Sequence, residues 1–250
     1  MLSVTVITKN EEDNIRKCLE SVKWADEIIV VDSYSTDKTL QIAKEFTEKV
    51  YTEEWKGFAK QREFALSKAS NEWVFPLDAD ERCSDELREE ILGIIKSGSK
   101  FSGFRIPRKT FFLGKWIRHC GWYPGYQTRF FRKEKTKVTD RLVHEGYEVE
   151  GDMGFLKGDI LHYSVTSITD YMRKVNNYST LQAMEKANKK EVKFSDLLLR
   201  PVAAHLQNFI FKKGFLDGVH GLMVTNFDII TNMLTYMKAW EIQNKNKKGK

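Results

Sequence analysis

Trp73-Val74-Phe75-Pro76-Leu77-Asp78-Ala79-Asp80-Glu81 joins a short apolar run to three carboxylates. The five mostly apolar residues read as a buried strand. In open α/β sheets, ligands sit beyond the carboxyl ends of the strands, which is where Asp78 and Asp80 stand. Side chains at i and i+2 of an extended segment point the same way. The pair is therefore expected to converge on one divalent cation, which prefers oxygen ligands and takes the rest from water and substrate phosphates. The alternative is a helix-capping turn, because Ser84-Asp85-Glu86-Leu87 opens a helix directly afterwards.

Composition bounds the class. A chain of 250 residues, 41% of them hydrophobic, holds one large core, or one domain and a small extension. The net charge of +6 is uneven, with acids crowding the N-terminal third and the basic excess building after Lys96. Nucleic acid, anionic lipid and phosphorylated sugar all attract such a surface. Cys18, Cys83 and Cys120 form neither a zinc pattern nor a disulfide framework, which suits a reducing cytoplasm. The first residues enter a strand at once, so no signal peptide is expected. No run of about eighteen apolar residues exists to span a bilayer.

Strands and helices alternate from the start. Val4 to Thr8 is a β-branched strand, and Asn10 is placed to cap a helix whose buried face is Ile15, Cys18, Leu19 and Val22. Glu27 to Val31 is a second strand ending at Asp32, and the turn Ser33 to Asp37 leads into a helix burying Thr39, Ile42, Ala43 and Phe46. Lys49 to Tyr51 is a third strand, Phe58 to Ala69 a helix, and Trp73 to Leu77 the fourth strand. This alternation implies βαβ crossovers and a mainly parallel sheet flanked by helices. Gly-x-Gly-x-x-Gly and Gly-x-x-x-x-Gly-Lys-Ser/Thr are both missing, so the diphosphate of a nucleotide needs another holder, and a carboxylate-bound cation is the obvious one. Asp32 suits a base N–H or a ribose hydroxyl, and equally a turn cap.

The alternation breaks after Gly98. Phe101 to Tyr163 is rich in aromatics, Gly and Arg, with Trp116, Trp122, Tyr123 and Tyr126 close together among glycines. Flat aromatic faces suit sugar rings, and equally core packing. No nucleic-acid motif accompanies them, so no nucleic-acid partner is expected. From Ser167 the pattern is helical, with Tyr171, Val175, Tyr178 and Leu181 at helical steps. A second stripe is Val219, Leu222, Met223, Phe227, Ile230, Leu234 and Met237, bordered by Lys212 and Lys213 before it and by Lys245, Lys247, Lys248 and Lys250 after it. A basic amphipathic helix can lie in a bilayer interface. The expectation is that residues 209 to 240 hold the chain on an anionic membrane surface, unless Val219, Leu222, Phe227 and Ile230 pack on the catalytic domain. The expected domains are residues 1–165, a helical extension over 166–242, and a disordered basic tail over 243–250.

Several of these segments, in this order and spacing, resemble a family 2 glycosyltransferase of the GT-A fold. They are Thr8-Lys9-Asn10-Glu11-Glu12 after the first strand, Val31 to Asp37, and Leu77-Asp78-Ala79-Asp80-Glu81. Gly57 to Arg62 resembles the segment that reaches the nucleotide. Gly121 to Tyr126 with Thr128 to Arg132 resembles the glycine loop and its following strand. Val143-His144-Glu145 resembles the catalytic-base motif, and Leu161-His162-Tyr163 the downstream metal-binding histidine. Lys213 to Gly218 and the closing helix resemble the small bacterial enzymes of the lipopolysaccharide-core β-glucosyltransferase type. The sequence departs in two places: Asp32-Ser33 stands where paired aspartates are usual, and His144-Glu145 where many relatives end Glu-Asp.

The resemblance implies inversion by a single displacement, with Glu145 as base and Asp140 and His144 as further candidates. It implies a nucleotide-diphospho-sugar donor held by Thr8, Asn10, Glu11, Asp32, Lys60, Arg62, Asp78 and Asp80. It implies Mg²⁺ or Mn²⁺ on Asp80 and His162, with Asp78 acting through water or sugar contacts. UDP-glucose is the leading donor, with UDP-galactose, UDP-N-acetylglucosamine and dTDP sugars open. The acceptor is a glycan or glycolipid, and the place of work the cytoplasmic face of a bacterial inner membrane. No feature speaks to oligomeric state. The alternatives are a sugar nucleotidyltransferase, whose Gly-rich basic loop after the first strand is missing here, and a non-catalytic glycan-binding module, which would not need both Asp80 and Glu145.

Overall fold

The structure, a computed structural model, describes residues 1–139, 146–189 and 191–248. In chain order the strands and helices of the first half are β1 (Leu2–Thr8), α1 (Ile15–Glu20), β2 (Glu27–Asp32), α2 (Thr39–Ala43), β3 (Val50–Thr52), α3 (Phe58–Lys68), β4 (Trp73–Asp78), β5 (Glu81–Cys83), α4 (Asp85–Ser97) and β6 (Gly103–Ile106). There follow β7 (Arg108–Phe112), β8 (Lys115–Trp116), β9 (Gln127–Arg132), β10 (Thr136–Thr139), β11 (Gly146–Val149), β12 (Met153–Phe155) and β13 (Ile160–Val165). Three long helices close the chain, α5 (Ile168–Lys189), α6 (Phe194–His205) and α7 (Gly218–Lys248).

Among the described residues the chain forms two units. The first comprises residues 1–109, 124–139 and 146–164. Its seven-stranded sheet has the order β12-β6-β9-β4-β1-β2-β3, with β4, β1, β2 and β3 mutually parallel and β9 antiparallel to β4 and β6. Every residue of β1 and β2 is buried, as expected of β-branched strands covered on both faces. Register then places the ends. Thr8 lies opposite Asp32, and on the other side of β1 Ile7 lies opposite Asp78. Pro76 has no N–H to offer a ladder, and β9 pairs with β4 only at Trp73 and Val74, short of it.

The first helix differs from expectation at its start. Ile15, Cys18, Leu19 and Val22 are fully buried as the spacing indicates, but the helix is preceded by Asn14 and not capped by Asn10. Asn10 adopts a left-handed φ of 53°, and its Oδ1 accepts from Thr36 N at 2.8 Å. The residue is used to tie the β1 loop to the β2 loop. The Ser84 cap forms as expected, its Oγ accepting from Leu87 N at 3.2 Å. A further strand, β5, comes before that cap and is not marked by residue types. It pairs antiparallel with β13, setting His162 opposite Glu81.

The second unit comprises residues 110–123, 165–189 and 191–248. It takes in more chain than the expected extension, because Phe112, Ile117 and Cys120 bury in one core with Val175, Val224 and Phe227. A π-helix (Leu206–Phe211) and a 3-10 turn (Gly214–Asp217) link α6 to α7. Asp217 accepts from His119 N at 2.8 Å, and its carbonyl accepts from Lys115 Nζ at 2.8 Å. A Cβ on Gly221 would meet Gly214 O at 1.9 Å, so this crossing admits only glycine.

The apolar stripe expected along α7 is divided. Met223, Phe227, Ile230 and Leu234 pack into the core of the second unit, whereas Val219, Leu222 and Met237 are exposed. α7 runs to Lys248. Near its end Gln243 Oε1 accepts from Val192 N at 3.0 Å, and Lys245 pairs with Glu241 at 2.7 Å. Among the described residues no helix is long and apolar enough to cross a membrane.

Candidate functional site

The carboxyl ends of β1, β2 and β4 meet in the first unit, and their loops carry most of the expected site residues. Asp32 is fully buried. Its Oδ2 accepts from Ser35 N at 2.8 Å and its Oδ1 from Ser35 Oγ at 2.5 Å, which is the turn-capping alternative. The same Ser35 Oγ accepts from Asn10 N at 2.7 Å. Asn10, Ser35 and Asp32 therefore form one chain of bonds across the two loops. Glu11 supports it, its N donating to Thr39 Oγ1 at 2.8 Å and its Oε2 accepting from Asn14 at 2.7 Å. Thr8 is buried, and its Oγ1 has no hydrogen-bond partner among the described residues.

β4 ends at Asp78, so the two-residue alternation that would aim both side chains together stops before Asp80. Asp78 is instead held by arginines. Arg129 Nη2 donates to its Oδ2 at 2.9 Å, and Arg62 Nη2 to its Oδ1 at 3.2 Å. Burial pushes the Asp78 carboxyl up, but the Arg129 and Arg62 guanidiniums outweigh it and hold it far below the usual carboxylate range. Arg129 also reaches Glu81 Oε1 at 3.3 Å, and Arg108 lies 3.5 Å from the same oxygen. Glu81 Oε2 accepts from Asp78 N at 3.0 Å. Tyr147 is raised to about 12, chiefly by burial, against the lowering pull of Arg62 and Arg129.

Asp80 faces β13. Its Oδ2 lies 3.4 Å from His162 Nε2, and each of the two side chains is 14% exposed. A carboxylate oxygen and an imidazole nitrogen at this separation are a donor set suited to Mn²⁺ or Mg²⁺ completed by water and phosphate oxygens. Among the described residues no three His, Cys, Asp or Glu side chains gather to form a fuller cage. Lys60 lies outside the cluster, donating to Glu63 at 2.8 Å on the exposed face of α3. Glu145, Asp140 and His144 lie outside the described residues.

The aromatics that are close in sequence fall in different units. Trp116 meets Tyr123 edge-on at 5.2 Å and Trp122 packs on Phe112 in the second unit, whereas Tyr126 meets Phe155 in the first. Arg129, Glu81, Arg108 and Tyr147 were not singled out from sequence as site residues. The available signal was Arg129 itself, a charge in the aromatic strand Thr128-Arg129-Phe130-Phe131, whose buried position demands acidic partners. Its Nη1 is buried without a hydrogen-bond partner among the described residues.

Comparison with known proteins gives the family. The family model described as Glycosyl transferase family 2 matches residues 3–146. The chain is 29% identical to the lipopolysaccharide core biosynthesis glycosyltransferase LpsC of Rhizobium meliloti (strain 1021), over 96% of this chain and 92% of that protein. It is 31% identical to the uncharacterized glycosyltransferase RT0209 of Rickettsia typhi, over 98% of this chain and 89% of that protein. Among solved structures, the mannosyltransferase PcManGT from Pyrobaculum calidifontis, in complex with GDP-Man and Mn²⁺, has a TM-score of 0.54 at 15% identity, covering 97% of this chain and 86% of that chain. At that identity the likeness is one of fold.

Proposed function

The chain belongs to glycosyl transferase family 2 and has its GT-A type fold, and from that premise we propose that it moves a hexose, best assigned as glucose, from a nucleotide-diphospho-sugar to a hydroxyl of a lipopolysaccharide-core glycan. The acceptor class follows the name of the LpsC relative, which aligns over nearly the whole chain. The reaction is a single inverting displacement. The acceptor oxygen forms its bond to the anomeric carbon as the bond from that carbon to the diphosphate oxygen breaks. Glu145, assigned by resemblance, takes the acceptor proton. The nucleoside diphosphate leaves with the bonding pair.

The observation that carries the reading is the Asp80–His162 pair at the carboxyl end of the parallel sheet. These two residues would hold Mg²⁺ or Mn²⁺, which when bound neutralises charge developing on the leaving diphosphate. Three guanidiniums, Arg62, Arg108 and Arg129, gather on Asp78 and Glu81, and guanidiniums suit the oxygens of a diphosphate. Asp78 thus serves by holding arginines. The Asn10–Ser35–Asp32 bonds fix the loops that would receive the nucleoside.

Thermal melts with a panel of UDP, dTDP and GDP sugars, with and without Mn²⁺, test the reading. A donor present at 100 times its Kd stabilises by about 2.7 kcal/mol, a rise of roughly 5–10 °C for a chain of this size. The expected result is a rise with a UDP sugar that needs the metal. No rise with any nucleotide sugar would contradict it.

A further inference from the structure

In α6 the only buried residue is an aspartate, Asp196. Leu197 packs beside it on the core of Ala183, Tyr236 and Ala239, but most of the apolar residues face out. Phe194, Leu198, Val202, Leu206 and Ile210 recur every four residues along α6 and the π-helix, and all are exposed, Phe194 by 80%. Such spacing keeps side chains on one helical face. Phe211, which ends the π-helix, is exposed by 78%, and Val219, in the first turn of α7, by 64%. Exposed apolar side chains repeated along one helical face mark an interaction site.

Charge decides what it meets. From Lys193 to Leu222 the sequence holds two acids, Asp196 and Asp217. Both are buried and engaged, Asp196 with Arg200 at 2.7 Å and Asp217 with His119 N at 2.8 Å. The exposed charges in this stretch are all basic, namely Lys193, Arg200, Lys212 and Lys213. A twofold pairing of two copies through this face would bring the same lysines to both sides. An anionic lipid headgroup layer neutralises them while the apolar face enters the acyl boundary.

We propose that α6, the π-helix and the turn before α7 form a surface that docks on an anionic bilayer interface. The docking element therefore lies N-terminal to the α7 stripe, most of which is core. The proposal uses no part of the transfer chemistry, and its failure would leave the glycosyltransferase reading standing.

Flotation of the full chain tests it, with vesicles of phosphatidylcholine alone and of phosphatidylcholine mixed with phosphatidylglycerol. Binding to the mixed vesicles is expected at about 0.1 M salt, weakening sharply towards about 1 M as the Debye length falls from about 10 Å to about 3 Å. Lys212→Gln with Lys213→Gln is expected to lower partitioning roughly thirtyfold. Leu198→Asp with Phe211→Asp is expected to abolish it, with an unchanged circular dichroism melt. Absence of binding to mixed vesicles at low salt overturns the proposal. So does loss of binding on Met237→Asp but on neither double variant. A dimer in sedimentation equilibrium that Leu198→Asp disrupts, without vesicle binding, assigns the face to a second copy and likewise overturns it.

Discussion

Arg129 Nη2 donates to Asp78 Oδ2 at 2.9 Å and to Glu81 Oε1 at 3.3 Å, tying antiparallel β9 to the carboxyl end of β4. Removing the guanidinium leaves two inward-facing carboxylates short of their counter-ion. Breaking a buried pair from one side costs about 3–5 kcal/mol. Arg129→Met is therefore expected to lower Tm by roughly 10 °C, read by thermal melting without ligand. A Tm within two or so degrees of the parent would show that Arg62 and Arg108 suffice.

Asp80 and His162 touch each other at the edge of the site and are partly exposed, so each can be removed without opening the core. Asp80→Ala and His162→Ala are expected to fold normally and to lose the metal-dependent part of nucleotide-sugar binding in calorimetry. Unchanged Mn²⁺ dependence in both variants would take the metal role away from them.

Glu145→Gln is expected to keep nucleotide-sugar binding and to lose about 10²–10⁴ in turnover, the usual worth of a general base. Near-parental turnover would pass the role to Asp140 or His144.

Glu27 supplies a pH dependence remote from the chemistry. Burial raises its carboxyl, but bonds from Lys49, Ser3 and Ser70 outweigh that and bring it from 4.5 to about 2. A carboxyl lowered on folding stabilises above its unfolded pKa, and that contribution is lost as pH falls through the folded value. The window is thus from about pH 4.5 down to about pH 2. The contribution is at most about 3 kcal/mol, reduced by the half-exposed Lys49 partner. Glu27→Gln is expected to be less stable than the parent at pH 7, with the gap closing towards pH 2. A constant gap in denaturant melts across that range would contradict it.

The fold and the site were not equally legible in the sequence. β1 to β4 and the helices between them follow from apolar spacing, because each is a local pattern burying a local face. The helix cap at Asn10 failed because a left-handed residue with an Asn side chain also suits a loop-to-loop bond, and the partner Thr36 lies on another strand's loop. The two-residue alternation does not carry through to Asp80 because the strand stops at Asp78, a boundary that residue types do not mark. Arg129 was missed because its partners are distant in sequence, 51 and 48 residues away. The exposed face of α6 was missed for a different reason. Its leucine run does not say which side faces in, and only the fold shows that Asp196 takes the inner position.

The measurement closest to the central claim is mass spectrometry of the acceptor. The full chain is incubated with UDP-glucose, Mn²⁺ and a lipopolysaccharide-core oligosaccharide, and the nucleotide product is followed in parallel. The expected result is one added hexose on the acceptor with equimolar UDP, lost in Asp80→Ala and in Glu145→Gln. An unmodified acceptor with every nucleotide sugar tried, or pyrophosphate-linked chemistry in place of released nucleoside diphosphate, would contradict it.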